Sequence, residues 1–325
     1  MRVLVVGAGV IGTIYGWAVS EAGHDVVHVV RSGRASRFAR GITIDMFDRR
    51  RGHDHRRKCT YNIAVVESLD SHSSFDMVIV PTHHYELIEA LQQFVPQTKD
   101  AKFILLTQNW HGTADVDTII PQTRYVYGDA KAGGTFRDGV LVATISTIDV
   151  GQVGGRHDDC LARSITLFGS ADLAPRLREN ILHYLWVQYA ITGGLWPSLV
   201  RASSFEALLR DRHAGELGMM SARECLDVVA RRGVDLSQYP ETRLYYRNSF
   251  VLRQLALMTM RFMFTHNEYV KRSSAHALAN AREIKAFFYD LLNTGRELGV
   301  KMPIMSSFER DIKEFCNRTR STTDS

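Results

Sequence analysis

The sequence predicts an α/β protein in which a doubly wound parallel sheet is followed by an all-helical region. Three observations carry that prediction. An aliphatic run breaks into spaced glycines at residues 3–12, short aliphatic runs ending in polar clusters recur through residue 107, and long helical periods begin after about residue 175. At 325 residues the chain has length for about two domains, and its 45% hydrophobic content is enough for sizeable cores.

The first element is Val3-Leu4-Val5-Val6, aliphatic at every position as a strand buried on both faces requires. It runs into Gly7-Ala8-Gly9-Val10-Ile11-Gly12, a Gly-x-Gly-x-x-Gly turn. Gly7 permits a sharp exit from the strand, Gly9 lets backbone approach a pyrophosphate, and Gly12 lets the next helix pack close to the sheet. The phosphates then rest on the amides of that helix's first turn. Residues Gly7, Ala8, Gly9, Val10, Ile11 and Gly12 are therefore assigned to dinucleotide binding. Ile14, Trp17, Ala18 and Ala22 carry a helical period to the stop at Gly23, and Asp25 to Val30 reads as a second strand. This is a complete strand-helix-strand unit of Rossmann type.

The end of the second strand selects the dinucleotide. NAD-binding chains usually place an acid there for the ribose hydroxyls, whereas a 2′-phosphate needs a cation. The residues are Arg31-Ser32-Gly33-Arg34, with no acid, so Arg31 as a phosphate-matched fork and Ser32 as a donor favour NADPH over NADH. The plain alternative is a solvated basic loop.

Residues 49–58 hold six cations and one acid, and without them the chain has 34 cations and 34 acids, so the whole net charge of +5 sits in one decapeptide. Centred on Gly52 between alternating segments around Ile42 to Phe47 and Thr60 to Val65, it reads as a hairpin tip in solvent. It carries no aromatic residue to stack a base, which argues against nucleic acid. His53 and His55 lack a third ligand and sit among arginines, so no metal site is expected.

Phe75 to Pro81 is the next buried strand, ending in Thr82-His83-His84-Tyr85, and Lys102 to Thr107 follows, ending in Gln108-Asn109-Trp110-His111-Gly112. Ligands of open parallel sheets bind outside the carboxyl ends of the strands. His83, His84, Gln108, Asn109 and His111 are thus expected to face the nicotinamide, with Trp110 adding apolar surface to the cleft. Arg124 to Gly128 leads to further alternating segments through Val142 and Val150.

Helices are expected over 185–199, 204–217, 222–232, 247–264 and 277–298, with the Met and Phe stripe from Leu255 to Phe264 packed in a core. The domains are expected at 1–175 and 176–316, with a disordered polar tail over 317–325. No apolar run approaches a membrane span. A strand starting at Val3 leaves no room for a cleaved signal peptide, and the four cysteines, Cys59, Cys160, Cys225 and Cys316, form no Cys-x-x-Cys pair, so a cytoplasmic protein with reduced thiols is expected.

Taken together, the N-terminal glycine turn, Arg31, Thr107-Gln108-Asn109, the Trp186-led helix, and Arg282-Glu283-Ile284 ahead of Gly295-Arg296-Glu297-Leu298-Gly299-Val300 and Pro303 resemble the ketopantoate reductase family over nearly the whole chain. The resemblance implies a helical second domain like that of 6-phosphogluconate dehydrogenases, NADPH and substrate in a cleft between the domains, reduction of 2-dehydropantoate to pantoate, and a monomer or homodimer.

Within that resemblance the chain departs from the family pattern. The family's Trp-x-Lys-Leu-x-x-Asn reads Trp186-Val187-Gln188-Tyr189-Ala190-Ile191-Thr192, so Gln188 stands at the lysine acid and Trp196 at a further asparagine. Another lysine is replaced by His83, and Gln-Asn-Gly has become Gln108-Asn109-Trp110. Asn109 and Glu283 keep the family's active-site identities. The catalytic candidates are therefore Glu283, Asn109, Gln188, His83 and His111, with Gln108 and Asn109 also at the cofactor. The implied function is an NADPH-dependent oxidoreductase acting on a 2-keto acid or related carbonyl or imine. The alternative is an NADP-binding sensor or scaffold that has lost its acid, and oxidation in the reverse direction is a third reading.

Overall fold

Aliphatic residues in unbroken succession can be buried on both faces, and the first strand, β1 (Arg2–Val6), sits in the middle of the sheet with Val3, Leu4 and Val5 fully enclosed. The computed structural model describes residues 1–70, 74–246, 250–274 and 277–323. It divides into two units, Met1–Leu182 with Arg272–Ala275, and His183–Lys271 with His276–Ser325.

In the first unit β1 leads through helix α1 (Val10–Glu21) to β2 (Asp25–Val29), which pairs with β1 in parallel register, Val6 opposite Val29. Gly23, at φ +84°, ends the helical stretch as expected. The hairpin of β3 (Ile42–Asp48) and β4 (His55–Tyr61) follows, then β5 (Ala64–Val66), β6 (Met77–Val80), helix α2 (Leu87–Phe94), β7 (Lys102–Leu105) and the single turn α3 (Ala114–Asp117). Strands β8 (Tyr125–Arg137) and β9 (Val140–Gly151), helix α4 (Asp159–Ser170) and β10 (Pro175–Leu177) complete it. The sheet order is β4-β3-β9-β8-β7-β6-β1-β2-β5, with β10 beside β9. From β5 to β8 all pairings are parallel, the doubly wound part; β8–β9 and β3–β4 are antiparallel.

Two features of this unit differ from the sequence reading. The sheet continues past residue 175 because β10 pairs with β9, where Arg176 and Arg178 each reach the fully buried Asp149 at 2.8 Å. The basic segment is also less free than a solvated tip. His55 to Lys58 lie within β4, and the Arg50 side chain is 9% exposed, bonded to Asp48 and set over the Trp17 ring at 4.8 Å.

The second unit is helical, built from α5 (Ile181–Ala202) after its first two residues, α6 (Phe205–Arg210), α7 (Arg212–Arg231), α8 (Phe250–His266), α9 (Glu268–Ser273) up to Lys271, α10 (Ala281–Glu297), α11 (Pro303–Ser307) and α12 (Glu309–Thr323). The break expected near residue 220 falls instead at Asp211, whose carboxylate accepts from the amides of His213 and Ala214 and caps α7. Residues 247–249 of the fourth expected helix lie outside the described residues. The Leu255 to Phe264 stripe is not core: Leu255, Met258, Phe262 and Met263 are exposed, because helical spacing fixes a face without fixing what covers it. Helix α12 runs through Thr323, where a disordered tail was expected from Asn317; i,i+4 pairs Arg310–Glu314 and Lys313–Glu309 support its first turns, and residues 324 and 325 lie outside the described residues. Among the described residues no helix is long and apolar enough to cross a membrane.

Candidate active site

Three glycines meet three different requirements at the carboxyl end of β1. Gly7 takes φ +87°, closed to most side chains, and its N–H donates to the Val29 carbonyl at 2.8 Å. At Gly12 a Cβ would stand 3.1 Å from the Gly7 carbonyl oxygen, 3.2 Å from Pro81 Cγ and 3.3 Å from Val5 Cγ1, so packing of α1 on the sheet keeps this position bare. Gly9 caps α1, has no protein atom within 4 Å of a built Cβ, and leads into a first turn without an acid. The unsatisfied first-turn amides and open space beside Gly9 fit a dinucleotide pyrophosphate.

A histidine underlies this turn. His28 of β2 is fully buried, its Nδ1 2.9 Å from the Gly7 carbonyl oxygen and its Nε2 3.1 Å from the Tyr61 hydroxyl. The carbonyl can only accept, so Nδ1 carries the proton and Nε2 accepts from Tyr61. Room for the ring comes from Gly16 of α1, where a Cβ would meet His28 Nε2 at 2.3 Å. Burial holds the imidazole pKa down at about 4.

At the end of β2, Arg31 and Ser32 are exposed, and the loop closes with Arg34 N–H donating to the Arg31 carbonyl at 3.1 Å. Because β1, β6 and β7 run parallel, their carboxyl ends share one edge. On that edge the Thr82 hydroxyl oxygen and Gln108 Oε1 are buried without a hydrogen-bond partner, a vacancy in polar satisfaction that a bound ligand with donors fits. His83, stacked on Tyr85 at 5.2 Å, and His84 are half-buried there, while His111 is exposed.

Asn109 is held within its own loop. Its Nδ2 donates to the Gly112 carbonyl at 2.7 Å and to the Tyr127 hydroxyl at 3.0 Å, and its Oδ1 accepts from Gly112 N–H at 2.9 Å. Trp110, expected to line a cleft, is only 2% exposed and belongs to the core; strand-end position predicts an edge, not the side chain's direction.

In the second unit, α5 carries Gln188 half-buried, its Nε2 donating to Glu241 Oε1 at 3.0 Å. The neighbouring Tyr189 stacks on Phe287 of α10 at 3.7 Å and donates to Asp290 at 2.6 Å. Gly193 permits this approach, since a Cβ there would meet Leu291 at 2.4 Å. Trp196 leans on the same Phe287 at 4.8 Å. Glu283 lies in the first turn of α10, three residues after the Asn280 cap and at the favourable end of the helix dipole. Trp186 is covered by Arg232, 3.6 Å from its centroid, and burial lowers that guanidinium's pKa to about 10.

Residues 3–154 match the family described as Ketopantoate reductase PanE/ApbA. This N-terminal part of the chain is thus similar to the ketopantoate reductase family. The 2-dehydropantoate 2-reductase of Pyrococcus abyssi is 24% identical over 206 residues, which take in 61% of this chain and 63% of that relative's length. Among solved structures, 2-dehydropantoate 2-reductase from Geobacter metallireducens is similar at TM-score 0.70 and 16% identity, covering 97% of this chain and 99% of the other. A D-mandelate dehydrogenase solved with NADH reaches TM-score 0.73 at 14% identity, covering 98% and 99%. At such identities these two likenesses establish fold: a Rossmann-like ketopantoate reductase sheet joined to a helical part. The low identity fits a divergent relative of that family.

Sequence reasoning passed over His28, Tyr61, Thr82, Arg232 and Glu241. Only His28 left a signal, a polar residue inside an otherwise buried strand; the others are defined by partners far away in the chain.

Proposed function

We propose that this chain is an NADPH-dependent oxidoreductase that reduces a 2-keto acid or a related carbonyl or imine compound, with catalytic residues altered from the ketopantoate reductase pattern. The observation that carries the reading is the glycine turn, whose bare Gly9 and unsatisfied α1 amides suit a pyrophosphate. Gly7 to Gly12 would hold it, Arg31 and Ser32 the adenosine phosphate, and Gln108 the far end. When bound, the dinucleotide supplies a hydride.

Reduction of a carbonyl leaves charge on oxygen, which requires a donor or an acid. Gln188 can donate a hydrogen bond but cannot deliver a proton, and its amide is already turned to Glu241. A positioned acid is worth roughly 10²- to 10⁴-fold, so turnover of ketopantoate itself is slow unless His83 or His111 moves the proton. Glu283 is assigned to orient the substrate, and Asn109 to shape the loop that follows β7. The same Gln188–Glu241 contact favours a second reading, a sensor that binds the dinucleotide without catalysis.

Titration with NADPH and NADH, then nicotinamide absorbance with ketopantoate and a panel of 2-keto acids, tests both. The enzyme reading expects tight NADPH binding, slow ketopantoate turnover and faster turnover of another keto acid, lost in the His83→Ala, His111→Ala double variant with affinity kept. Binding without any turnover supports the sensor. Binding of neither nucleotide removes both.

A further inference from the structure

We propose that Glu67 tunes dinucleotide preference by occupying the amide-lined loop after β2, so that a 2′-phosphate on the adenosine ribose must displace its carboxylate. The inference rests on the dinucleotide reading above and concerns a residue that the glycine and Arg31 signals do not involve.

The placement follows from the sheet. Strand β5 pairs with β2, Val66 opposite Val29, and Val30 N–H donates to the Val66 carbonyl at 2.8 Å, which sets Glu67 beside the loop that begins at Arg31. There Glu67 Oε1 accepts from the Ala35 amide at 2.8 Å. Gly33 adopts φ +74°, a left-handed turn that points successive N–H groups to one side and makes an anion-binding concavity. The Ala35 amide first, then that of Gly33, hold the carboxyl below its ordinary range, in keeping with an anion seated at this turn.

One concavity takes one anion. The ribose of NADH brings hydroxyls, which can donate to a carboxylate. The 2′-phosphate of NADPH brings only acceptors and like charge, so it gains from Arg31 while losing against Glu67. The acid that β2 lacks at its own end is thus supplied from the neighbouring strand, and the preference for NADPH is set by the balance of the two residues. Glu67 is exposed, so replacing it disturbs no core.

The test uses the full chain, with dissociation constants for NADPH and NADH measured by titration on the unaltered protein, Glu67→Gln and Glu67→Ala, and thermal denaturation to confirm folding. Both variants should tighten NADPH about tenfold, since a tenfold ratio corresponds to removing one modest like-charge contact, and should weaken NADH, whose ribose hydroxyls lose an acceptor. An unchanged NADPH-to-NADH ratio in both variants, or weaker NADH with unchanged NADPH, overturns the proposal while leaving the dinucleotide reading intact. Failure of all three proteins to bind either nucleotide instead removes that reading itself.

Discussion

His28 Nδ1 donates to the Gly7 carbonyl oxygen across 2.9 Å, so a histidine of the second strand holds the turn that ends the first. Its pKa of about 4, against 6.5 for a free imidazole, makes this clamp sensitive to acid. The unfolded chain takes up a proton below roughly pH 6.5 that the folded chain refuses until about pH 4. Stability is therefore full above that window, falls as pH drops through it, and has lost about 3 kcal/mol from this group at its lower end. Chemical denaturation at several pH values should show a flatter dependence in His28→Asn than in the unaltered chain; identical slopes would refute the assignment. Tyr61→Phe, which strands the Nε2 acceptor, should cost about 1–3 kcal/mol at neutral pH.

Gly12 and Gly9 should separate packing from binding. Gly12→Ala places a methyl against the Gly7 carbonyl, Pro81 and Val5, all within 3.3 Å, and is expected to cost about 1–3 kcal/mol. Gly9→Ala meets no protein atom and keeps an ordinary extended φ of −74°, so stability should stay within about 0.5 kcal/mol. Its nucleotide affinity should nonetheless fall tenfold or more. Equal effects of the two substitutions on unfolding would show that Gly9 is a packing residue after all.

Asp149 is fully buried between Arg176 and Arg178. Asp149→Asn removes the buried carboxylate that two partly exposed arginines share and should destabilise the first unit by about 1–3 kcal/mol in urea denaturation. A loss below about 0.5 kcal/mol would show that the two ion pairs contribute nothing to folding.

Gln188→Lys places an ammonium group beside Glu241. If proton delivery limits turnover, ketone reduction should rise by roughly 10²-fold or more while the nucleotide dissociation constant holds. No gain in rate would locate the missing acid elsewhere and strengthen the case for His83 or His111.

The β1-α1-β2 unit was legible in the sequence because it is local: an aliphatic strand, three glycines and a helix stop lie within thirty residues. The candidate site was legible only as positions along the chain. Which strand ends share an edge follows from parallel order, but whether Asn109 points out or closes its own loop depends on Gly112 and Tyr127. Trp110 and Arg50 are buried by distant neighbours, whereas in the α8 stripe Phe264 stacks on Phe205 while Leu255, Met258, Phe262 and Met263 stay exposed. Periodicity carries no information about such partners. β10 was missed for a related reason, being too short to show a strand pattern and defined by its pairing with β9.

Five of the six cations in residues 49–58 are each matched to an acid: Arg49 to Asp54, Arg50 to Asp48, Arg51 to Asp172, Arg56 to Asp45 and Arg57 to Glu21. Four of those acids come from outside the segment. Folding therefore neutralises most of the local excess of positive charge, and Asp45 is shared between Arg56 and Arg272. The segment that carries the whole surplus in sequence is thereby no concentrated source of positive potential. Attraction of a polyanion to this hairpin should therefore be weak at physiological salt, where fields fade within about 8 Å.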